Sequence, residues 1–307
     1  MKIIFFGSDD FAQQHLESLI DAGYDVAACV TQPDRAKNRG MKIVFSPIKE
    51  CAVVNDIAVL QPTDLSDSEF LAELRGMGAD LFVVIAYGRF LPEDVLSIPH
   101  QGSINVHGSY LPQYRGAAPI NWAIINGDKE TGVSIIKLNV GMDAGDIVAQ
   151  RKMKIKDDDT SISLRQRMIE EGKQLLLDTI LTMGKELKGR SQDLQKVTFA
   201  PKLTKEMGKI DWNKPASDIR SLIRGLLPWP TAYTVYRERM LKILDADIWR
   251  GTTKASCGEV VAILKEGIVV GTGEGQLLLK TVHLESSKKM SAYGFVVGHN
   301  IQIGDKF

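Results

Sequence analysis

The first 190 residues alternate short apolar runs with amphipathic segments, and this alternation limits the fold more than any other feature of the chain. Residues 2–6 form an apolar run that ends at Gly7, and residues 10–22 place apolar side chains at helical spacing behind an aspartate that can cap a helix. Further strands are predicted at 25–31, 57–60, 81–86 and 102–107, and further helices at 47–54, 67–76 and 118–126. Such alternation predicts an α/β fold with a mostly parallel sheet covered on both faces. Ligands of these sheets collect at the carboxyl ends of the strands.

The remaining pattern indicates a second domain. Residues 131–138 and 147–155 are predicted as an antiparallel pair of strands, and residues 161–189 as a long helix. A polar segment without sustained apolar period follows, which is typical of a linker. Beyond it come one helix and several short strands with glycine turns, a pattern typical of a small β-barrel. Because 307 residues exceed the usual span of one core, we predict a catalytic domain at 1–189, a linker at 190–207 and a second domain at 208–307.

The segment 103–146 carries the residue types that a group-transfer site needs. Asn105 and His107 stand two apart in a predicted strand, so their side chains project from the same face. Asp143 lies in the glycine-framed turn GMDAGD, which can bring a carboxylate back toward them. An amide donor, a titratable ring and a carboxylate can together stabilise a tetrahedral oxyanion and move a proton, as acyl transfer to an amine requires. No serine or cysteine stands in a recognisable nucleophile elbow, so direct transfer is the simpler hypothesis.

Each of these features also has an ordinary structural explanation. Asn105 and His107 can be a hydrogen-bonded pair within a strand, and Asp143 can simply cap backbone amides in its turn. The loop SYLPQYRG can be any loop that Pro112 and Gly116 bend. The order and spacing of the three features together favour a functional site over these alternatives.

Several cofactor and membrane classes are disfavoured by the sequence. Only Gly7 stands where a dinucleotide fingerprint needs three glycines, so NAD or FAD binding is disfavoured. The three cysteines and five histidines are dispersed and form no metal motif, which suits a reducing cytoplasm. The start MKIIFFGSDD is typical of a buried strand rather than a signal peptide, and no apolar run approaches the ~20 residues of a membrane span. We therefore predict a cytoplasmic protein that binds neither metal nor membrane.

Charge is distributed unevenly along a chain whose net charge is zero. Residues 208–307 contain 14 Lys and Arg against 10 Asp and Glu, a net of +4, which leaves −4 for residues 1–207. The loop 33–45 adds a local cluster of cations at Arg35, Lys37, Arg39 and Lys42. Both features suit contact with a polyanion, although a solvated surface and a flexible loop explain them equally well.

Longer runs of this sequence resemble one enzyme family. NVHGSYLPQYRGAAPINWAIINGDKETGVSIIKLNVGMDAGDIV is similar to the core of the 10-formyltetrahydrofolate-dependent formyltransferases, and FFGSDDFAQQHLESL, VTQPDRAKNRGMKIVFSPIK and VVIAYGRFLPEDVL agree with it. The resemblance implies a Rossmann-like formyltransferase sheet followed by an OB-like barrel. It implies 10-formyltetrahydrofolate as the co-substrate, no metal, and Asn105, His107 and Asp143 as the catalytic residues. The folate site that it implies is lined by Ser109, Tyr110, Leu111, Pro112, Phe90 and Leu91.

The second half of the chain bears on the acceptor of the formyl group. KIDWNKPASDIRSLIRGLLPWPTAY resembles the second domain of those members that formylate the amino group of methionine on initiator tRNA, which implies a monomeric enzyme with this tRNA as partner. In those members a similar basic loop enters the tRNA acceptor end, so Arg39 and Lys42 are the expected phosphate or base contacts. Members that act on glycinamide ribonucleotide have a single domain, and an amino-sugar acceptor is excluded less firmly. A catalytically silent RNA-binding protein is disfavoured by the intact catalytic residues.

Overall fold

The structure, a computed structural model, describes residues 1–37, 42–184, 187–251 and 256–307. The chain divides into two units. The first unit comprises Met1–Gly116, Gly132–Met153 and Gln166–Phe199, and the second comprises Ala117–Thr131, Lys154–Arg165 and Ala200–Phe307. Along residues 1–184 the elements are β1 (Lys2–Gly7), α1 (Asp10–Asp21), β2 (Asp25–Val30), β3 (Arg35–Lys37), β4 (Lys42–Val44), α2 (Pro47–Val54), β5 (Ala58–Leu60), α3 (Ser68–Gly76), β6 (Leu81–Ile85), α4 (Glu93–Leu96), β7 (Ser103–His107), β8 (Arg115–Gly116), α5 (Pro119–Ile125), β9 (Glu130–Lys137), β10 (Ile147–Lys154) and α6 (Ser161–Thr182).

A seven-stranded sheet in the order β10-β9-β7-β6-β1-β2-β5 organises the first unit. Strand β1 runs parallel to β2 and β6, β2 runs parallel to β5, and β6 runs parallel to β7. Strand β9 is antiparallel to β7. The mostly parallel sheet predicted from the alternating pattern is therefore confirmed, and its central strands are continuous apolar runs because helices and loops bury both faces.

The helices of this unit begin where the sequence provides caps. The Asp9 carboxylate accepts the Ala12 N–H at 3.0 Å, which closes the first turn of α1. At α2 the Ser46 hydroxyl accepts the Lys49 N–H at 3.1 Å, and Pro47 occupies the first helical position. The capping residues expected from the sequence thus lie at the observed starts of these helices.

Two local predictions for this unit were wrong. The loop predicted at 33–45 contains a short antiparallel hairpin, β3 with β4, around the residues that are not described. The long helix predicted to continue to residue 189 ends at Thr182. Further along the chain, Arg190 exchanges backbone hydrogen bonds of 2.8 and 2.9 Å with Ile147, and this pairing at the edge of the sheet requires extended backbone.

The second unit is built on an antiparallel sheet. The remaining elements of the chain are β11 (Phe199–Ala200), which pairs with β8, and then α7 (Ala216–Gly225), β12 (Tyr233–Tyr236), β13 (Arg239–Trp249), β14 (Val260–Leu264), β15 (Gly267–Gly271), β16 (Gln276–Leu284), β17 (Met290–Ser291) and α8 (Ala292–His299). Six strands form the sheet in the order β12-β13-β16-β15-β14, with β17 on β16. The short strands expected in this part of the chain are thus confirmed, and the structure shows that they pair antiparallel, whereas α8 was not predicted. Within the described ranges, no helix combines the length and apolar character that crossing a membrane requires.

The second unit also includes segments that come before the predicted linker. Helix α5 contacts α7 there, and the Asn121 amide donates to the Gly225 carbonyl at 2.7 Å. The Arg224 guanidinium donates to the Asp159 carbonyl at 2.8 Å. Residues 117–131 and 154–165 therefore depend on residues from the C-terminal third of the chain for their packing.

Candidate active site

The end of β7 and the turn after β9 bring the three predicted catalytic residues together. Asn105 and His107 lie on β7, and both approach the Asp143 carboxylate. The Asn105 Nδ2 lies 3.4 Å from Asp143 Oδ1, and the His107 Nδ1 lies 3.6 Å from Asp143 Oδ2. The side chains of His107 and Asp143 are only 7% and 16% exposed, so both polar groups are largely shielded from water. The geometry is that of an amide, an imidazole and a carboxylate sharing one small region.

The Asp143 turn is held in a conformation that its backbone does not favour. Asp143 has a φ of +47°, which is uncommon for a residue other than glycine, and its Oδ2 accepts the Gly116 N–H at 2.8 Å. A Cβ on Gly145 would lie 1.6 Å from the Lys137 carbonyl oxygen, so only glycine permits the turn to lie against the end of β9. These contacts explain why the carboxylate points toward β7.

The His107 ring is oriented by a backbone carbonyl. Its Nε2 lies 2.9 Å from the Tyr114 oxygen, and because a carbonyl only accepts, Nε2 carries the hydrogen of this bond. The distance of 3.6 Å from Nδ1 to the Asp143 carboxylate is too long for a hydrogen bond. Nδ1 is therefore the ring nitrogen that remains for a substrate group, with the carboxylate beside it.

The loop after β7 is fixed by hydrogen bonds to its own backbone. The Ser134 hydroxyl donates to the Ser109 carbonyl at 2.6 Å and accepts the Leu111 N–H at 3.0 Å. The Gln150 amide donates to the Leu111 carbonyl at 2.8 Å, and the Ser109 hydroxyl donates to the Gln113 carbonyl at 2.6 Å. These hydrogen bonds fix the conformation of the loop beside the end of β7.

The six residues expected to line the folate site differ in how accessible they are. The Leu111 and Leu91 side chains are buried in hydrophobic clusters, 1% and 7% exposed. Tyr110 and Pro112 are half-buried, and Phe90 is 70% exposed. Ser109 is buried as well, at 0% exposed, so Tyr110, Pro112 and Phe90 are the side chains of this set that a ligand can reach.

The expected tRNA contacts fall largely outside the described part of the chain. Lys42 opens β4, but its side chain is not among the described groups, and Arg39 lies outside the described residues. Their role stays a prediction from the sequence.

Gln192 lies near the site but carried no sequence signal. Gln192 lies in the segment predicted as a linker, yet it is buried, and its Nε2 donates to the carbonyls of Asp143 and Gly145 at 2.8 and 2.7 Å. Its Oε1 accepts from the Arg115 guanidinium, at 3.1 Å from Nε and 2.8 Å from Nη2. A single polar residue in a segment without apolar period cannot be recognised as buried from the sequence.

The other reactive side chains do not indicate a second chemistry. Burial raises the pKa of the Cys29 thiol to about 12 and that of Cys51 to about 11, so neither is a nucleophile near neutral pH. Among the described residues no group of three or more His, Cys, Asp or Glu side chains is arranged to hold a metal ion.

Comparison with known sequences gives matches along nearly the whole chain. A family model described as formyl transferase matches residues 1–180, and one described as the formyl transferase C-terminal domain matches residues 202–300. A methionyl-tRNA formyltransferase of Caldanaerobacter subterraneus subsp. tengcongensis is 44% identical over 307 residues, which covers 99% of each chain. A methionyl-tRNA formyltransferase of Sulfurihydrogenibium sp. is 42% identical over 310 residues and covers 100% of both chains.

Solved structures share the fold at low sequence identity. The sugar 3N-formyl transferase WlaRD, determined with dTDP and 5-N-formyl-THF, has a TM-score of 0.69 at 17% identity and covers 94% of this chain and 99% of its own. HypX from Aquifex aeolicus, determined with tetrahydrofolic acid, has a TM-score of 0.66 at 18% identity and covers 96% of this chain but 47% of its own. At these identities the likeness concerns the fold, and two such neighbours were determined with folate compounds.

Proposed function

Because this chain belongs to the formyl transferase family, we propose that it transfers the formyl group of 10-formyltetrahydrofolate to the amino group of methionine esterified to initiator tRNA. The observation that carries this proposal is the identity of 44% with a methionyl-tRNA formyltransferase over 99% of both chains. The shared length includes residues 202–300, which the formyl transferase C-terminal domain model matches. The product is the formylated methionyl-tRNA used to start translation.

The chemistry requires one bond to form and one to break at the formyl carbon. The methionine amine attacks this carbon, the new C–N bond forms, and the bond from the formyl carbon to N10 of the folate breaks. Negative charge collects on the formyl oxygen, and the proton lost by the amine leaves on N10. Groups placed where this oxygen becomes charged lower the barrier most, because they are already oriented when the charge appears.

Asn105 and His107 are the donors that fit this oxygen. The Asn105 Nδ2 is 3.4 Å from Asp143, a long hydrogen bond that a better acceptor can replace. The His107 Nδ1 lies 3.6 Å from the Asp143 carboxylate, which is too far for a hydrogen bond, while Nε2 is hydrogen-bonded to the Tyr114 carbonyl. With both ring nitrogens protonated, His107 donates from Nδ1 to the oxyanion, and the Asp143 carboxylate stabilises the imidazolium. Asp143 also accepts the amine proton, through a water, on its way to N10.

The substrate contacts belong to the same proposal. The reachable side chains of Phe90, Tyr110 and Pro112 form the apolar wall for the pterin, supported by Leu91, Leu111 and Ser109. Arg39 and Lys42 contact the tRNA acceptor end, and the second domain over residues 208–307 supplies a further surface for the tRNA. In this proposal the enzyme is monomeric and cytoplasmic, and residues 190–207 link its two domains.

The proposal is tested by following radiolabelled formyl from 10-formyltetrahydrofolate into charged initiator tRNA. We expect label on the methionine amine with the wild-type protein, and a loss of turnover on the order of a hundredfold or more with Asn105→Ala or His107→Ala. Thermal melts of the variants establish that they are folded. A folded His107→Ala protein with near-normal turnover would overturn the assigned mechanism, and a wild-type protein that leaves the tRNA unlabelled would overturn the function.

A further inference from the structure

Gln192 stands outside both regions that the family models match, residues 1–180 and 202–300, and yet it reaches the candidate active site. Its place follows from backbone pairing. Ile147 and Arg190 form an antiparallel bridge. Because the two segments run in opposite directions, Gly145, two residues before Ile147, lies opposite Gln192, two residues after Arg190. The Ser191 hydroxyl adds a contact of 3.1 Å to the Asp146 carboxylate. The segment is therefore attached to the turn that carries Asp143.

Every hydrogen-bonding group of the Gln192 amide is used. The two hydrogens on Nε2 go to the carbonyls of Asp143 and Gly145, and Oε1 accepts twice from the Arg115 guanidinium. An amide has two donor hydrogens and two acceptor sites, so no capacity is left. Because Arg115 is charged, its bonds polarise the amide and strengthen the donation to the two carbonyls.

Arg115 connects this amide to the histidine side of the site. The residue before it, Tyr114, provides the carbonyl that orients His107, and the residue after it, Gly116, donates its N–H to the Asp143 carboxylate. Gln192 therefore closes a ring of contacts between the backbone that orients His107 and the turn that presents Asp143. Tyr114 and Asp143 have φ values of +60° and +47°, conformations that persist only where neighbouring groups fix them.

We propose that Gln192, together with Arg115, is a positioning residue that sets the separation of His107 and Asp143. This inference rests on the proposed formyl transfer, because its consequence is a rate of that reaction. Among the described hydrogen bonds, none joins Gln192 to the His107 ring or the Asp143 carboxylate, so its effect on catalysis passes through the placement of Asp143 and Tyr114. Catalysis is sensitive to such placement, since a displacement of about 1 Å can cost on the order of a hundredfold in rate.

The first test compares Gln192→Leu with Gln195→Leu. The leucine at position 192 has nearly the same volume but makes none of the four hydrogen bonds, whereas Gln195 is exposed and three residues away in the same segment. We expect Gln192→Leu to lower kcat by about tenfold or more with KM for both substrates changed by less than about threefold. Gln195→Leu should match the wild type. Gln192→Leu with wild-type kcat in a folded protein would overturn the proposal.

A second variant keeps the test valid if Gln192→Leu does not fold. Gln192→Glu retains an acceptor for Arg115, and gains an ion pair with it, but places a carboxylate oxygen against the carbonyls of Asp143 and Gly145. We expect it to fold and to lose kcat at least as strongly as the leucine variant. Wild-type kcat in Gln192→Glu would show that donation to the turn is unimportant.

A double-mutant cycle separates positioning from a general structural role. If Gln192 acts through Asp143, a substitution at 192 should lower kcat little further, by less than about threefold, in an Asp143→Asn background. Independent, multiplicative losses would overturn the proposal. Failure of the proposed function itself is recognised separately, because then the wild type and Gln195→Leu would also leave charged tRNA unformylated.

Discussion

Replacing Asp143 by asparagine isolates the charge of the carboxylate from its shape. The side chain keeps an oxygen for the Gly116 N–H, which is bonded at 2.8 Å, but loses the negative charge 3.6 Å from the His107 Nδ1. At an effective dielectric constant of ~20, two unit charges at this separation attract by about 4–5 kcal/mol, which is an upper limit on what the pair contributes. Losing a group that stabilises transition-state charge typically costs about 2.7–4 kcal/mol, or 10²- to 10³-fold in kcat. The two magnitudes agree.

We therefore expect Asp143→Asn to lower kcat for formyl transfer by about 10²- to 10³-fold with little change in KM for either substrate. The assay follows labelled formyl into charged initiator tRNA under saturating and subsaturating folate, with a thermal melt to establish folding. Asp146→Asn is the matched control, because this exposed side chain lies in the same turn and asparagine keeps an oxygen that can accept from the Ser191 hydroxyl. A folded Asp143→Asn protein with kcat within about threefold of the wild type would refute the electrostatic role of the carboxylate.

Three further outcomes follow from particular contacts. Gly145→Ala should lower the free energy of unfolding by about 3 kcal/mol, because its methyl group would overlap the carbonyl at the end of β9; an unchanged urea midpoint would contradict this. The affinity for tRNA should fall as salt concentration rises. Neutralising Arg39 or Lys42 should each reduce the slope of log affinity against log salt concentration by about 1, while folate affinity stays constant. Equal slopes for the wild type and the variants would exclude these phosphate contacts. Burial raises the pKa of Cys29 to about 12 and that of Cys51 to about 11, so both thiols are protonated at pH 8. Iodoacetamide should therefore label them only after unfolding, as measured by mass spectrometry, and rapid labelling of the native protein would contradict their burial.

The part of the site that lies on one strand could be predicted from the sequence. Alternation along β7 places Asn105 and His107 on one face, and a glycine-framed turn is the natural place for a returning carboxylate. The orienting carbonyl of Tyr114 could not be predicted, because it depends on a φ of +60° that no side-chain pattern records. Gln192 could not be predicted either, since its burial arises from a bridge between residues 43 positions apart.

The sheets could also be predicted from the sequence, but the division of the chain could not. Periodicity describes each element by itself, and it located the buried parallel strands because their apolar runs are continuous. It does not show that α5 contacts α7, where Asn121 donates to the Gly225 carbonyl at 2.7 Å. A chain cut within the predicted linker would lose α7. The apolar face of α5 would then lack the helix that it contacts in the second unit.

The acceptor that receives the formyl group distinguishes the proposed function from its alternatives. Charged initiator tRNA, glycinamide ribonucleotide and a nucleotide-linked amino sugar are offered together to the wild-type protein with labelled 10-formyltetrahydrofolate, and the label is followed into each product. We expect nearly all of the label on the methionine amine of the tRNA, with none in the other two acceptors above the level seen with His107→Ala. Preferential labelling of the amino sugar or of the ribonucleotide would contradict the proposed function.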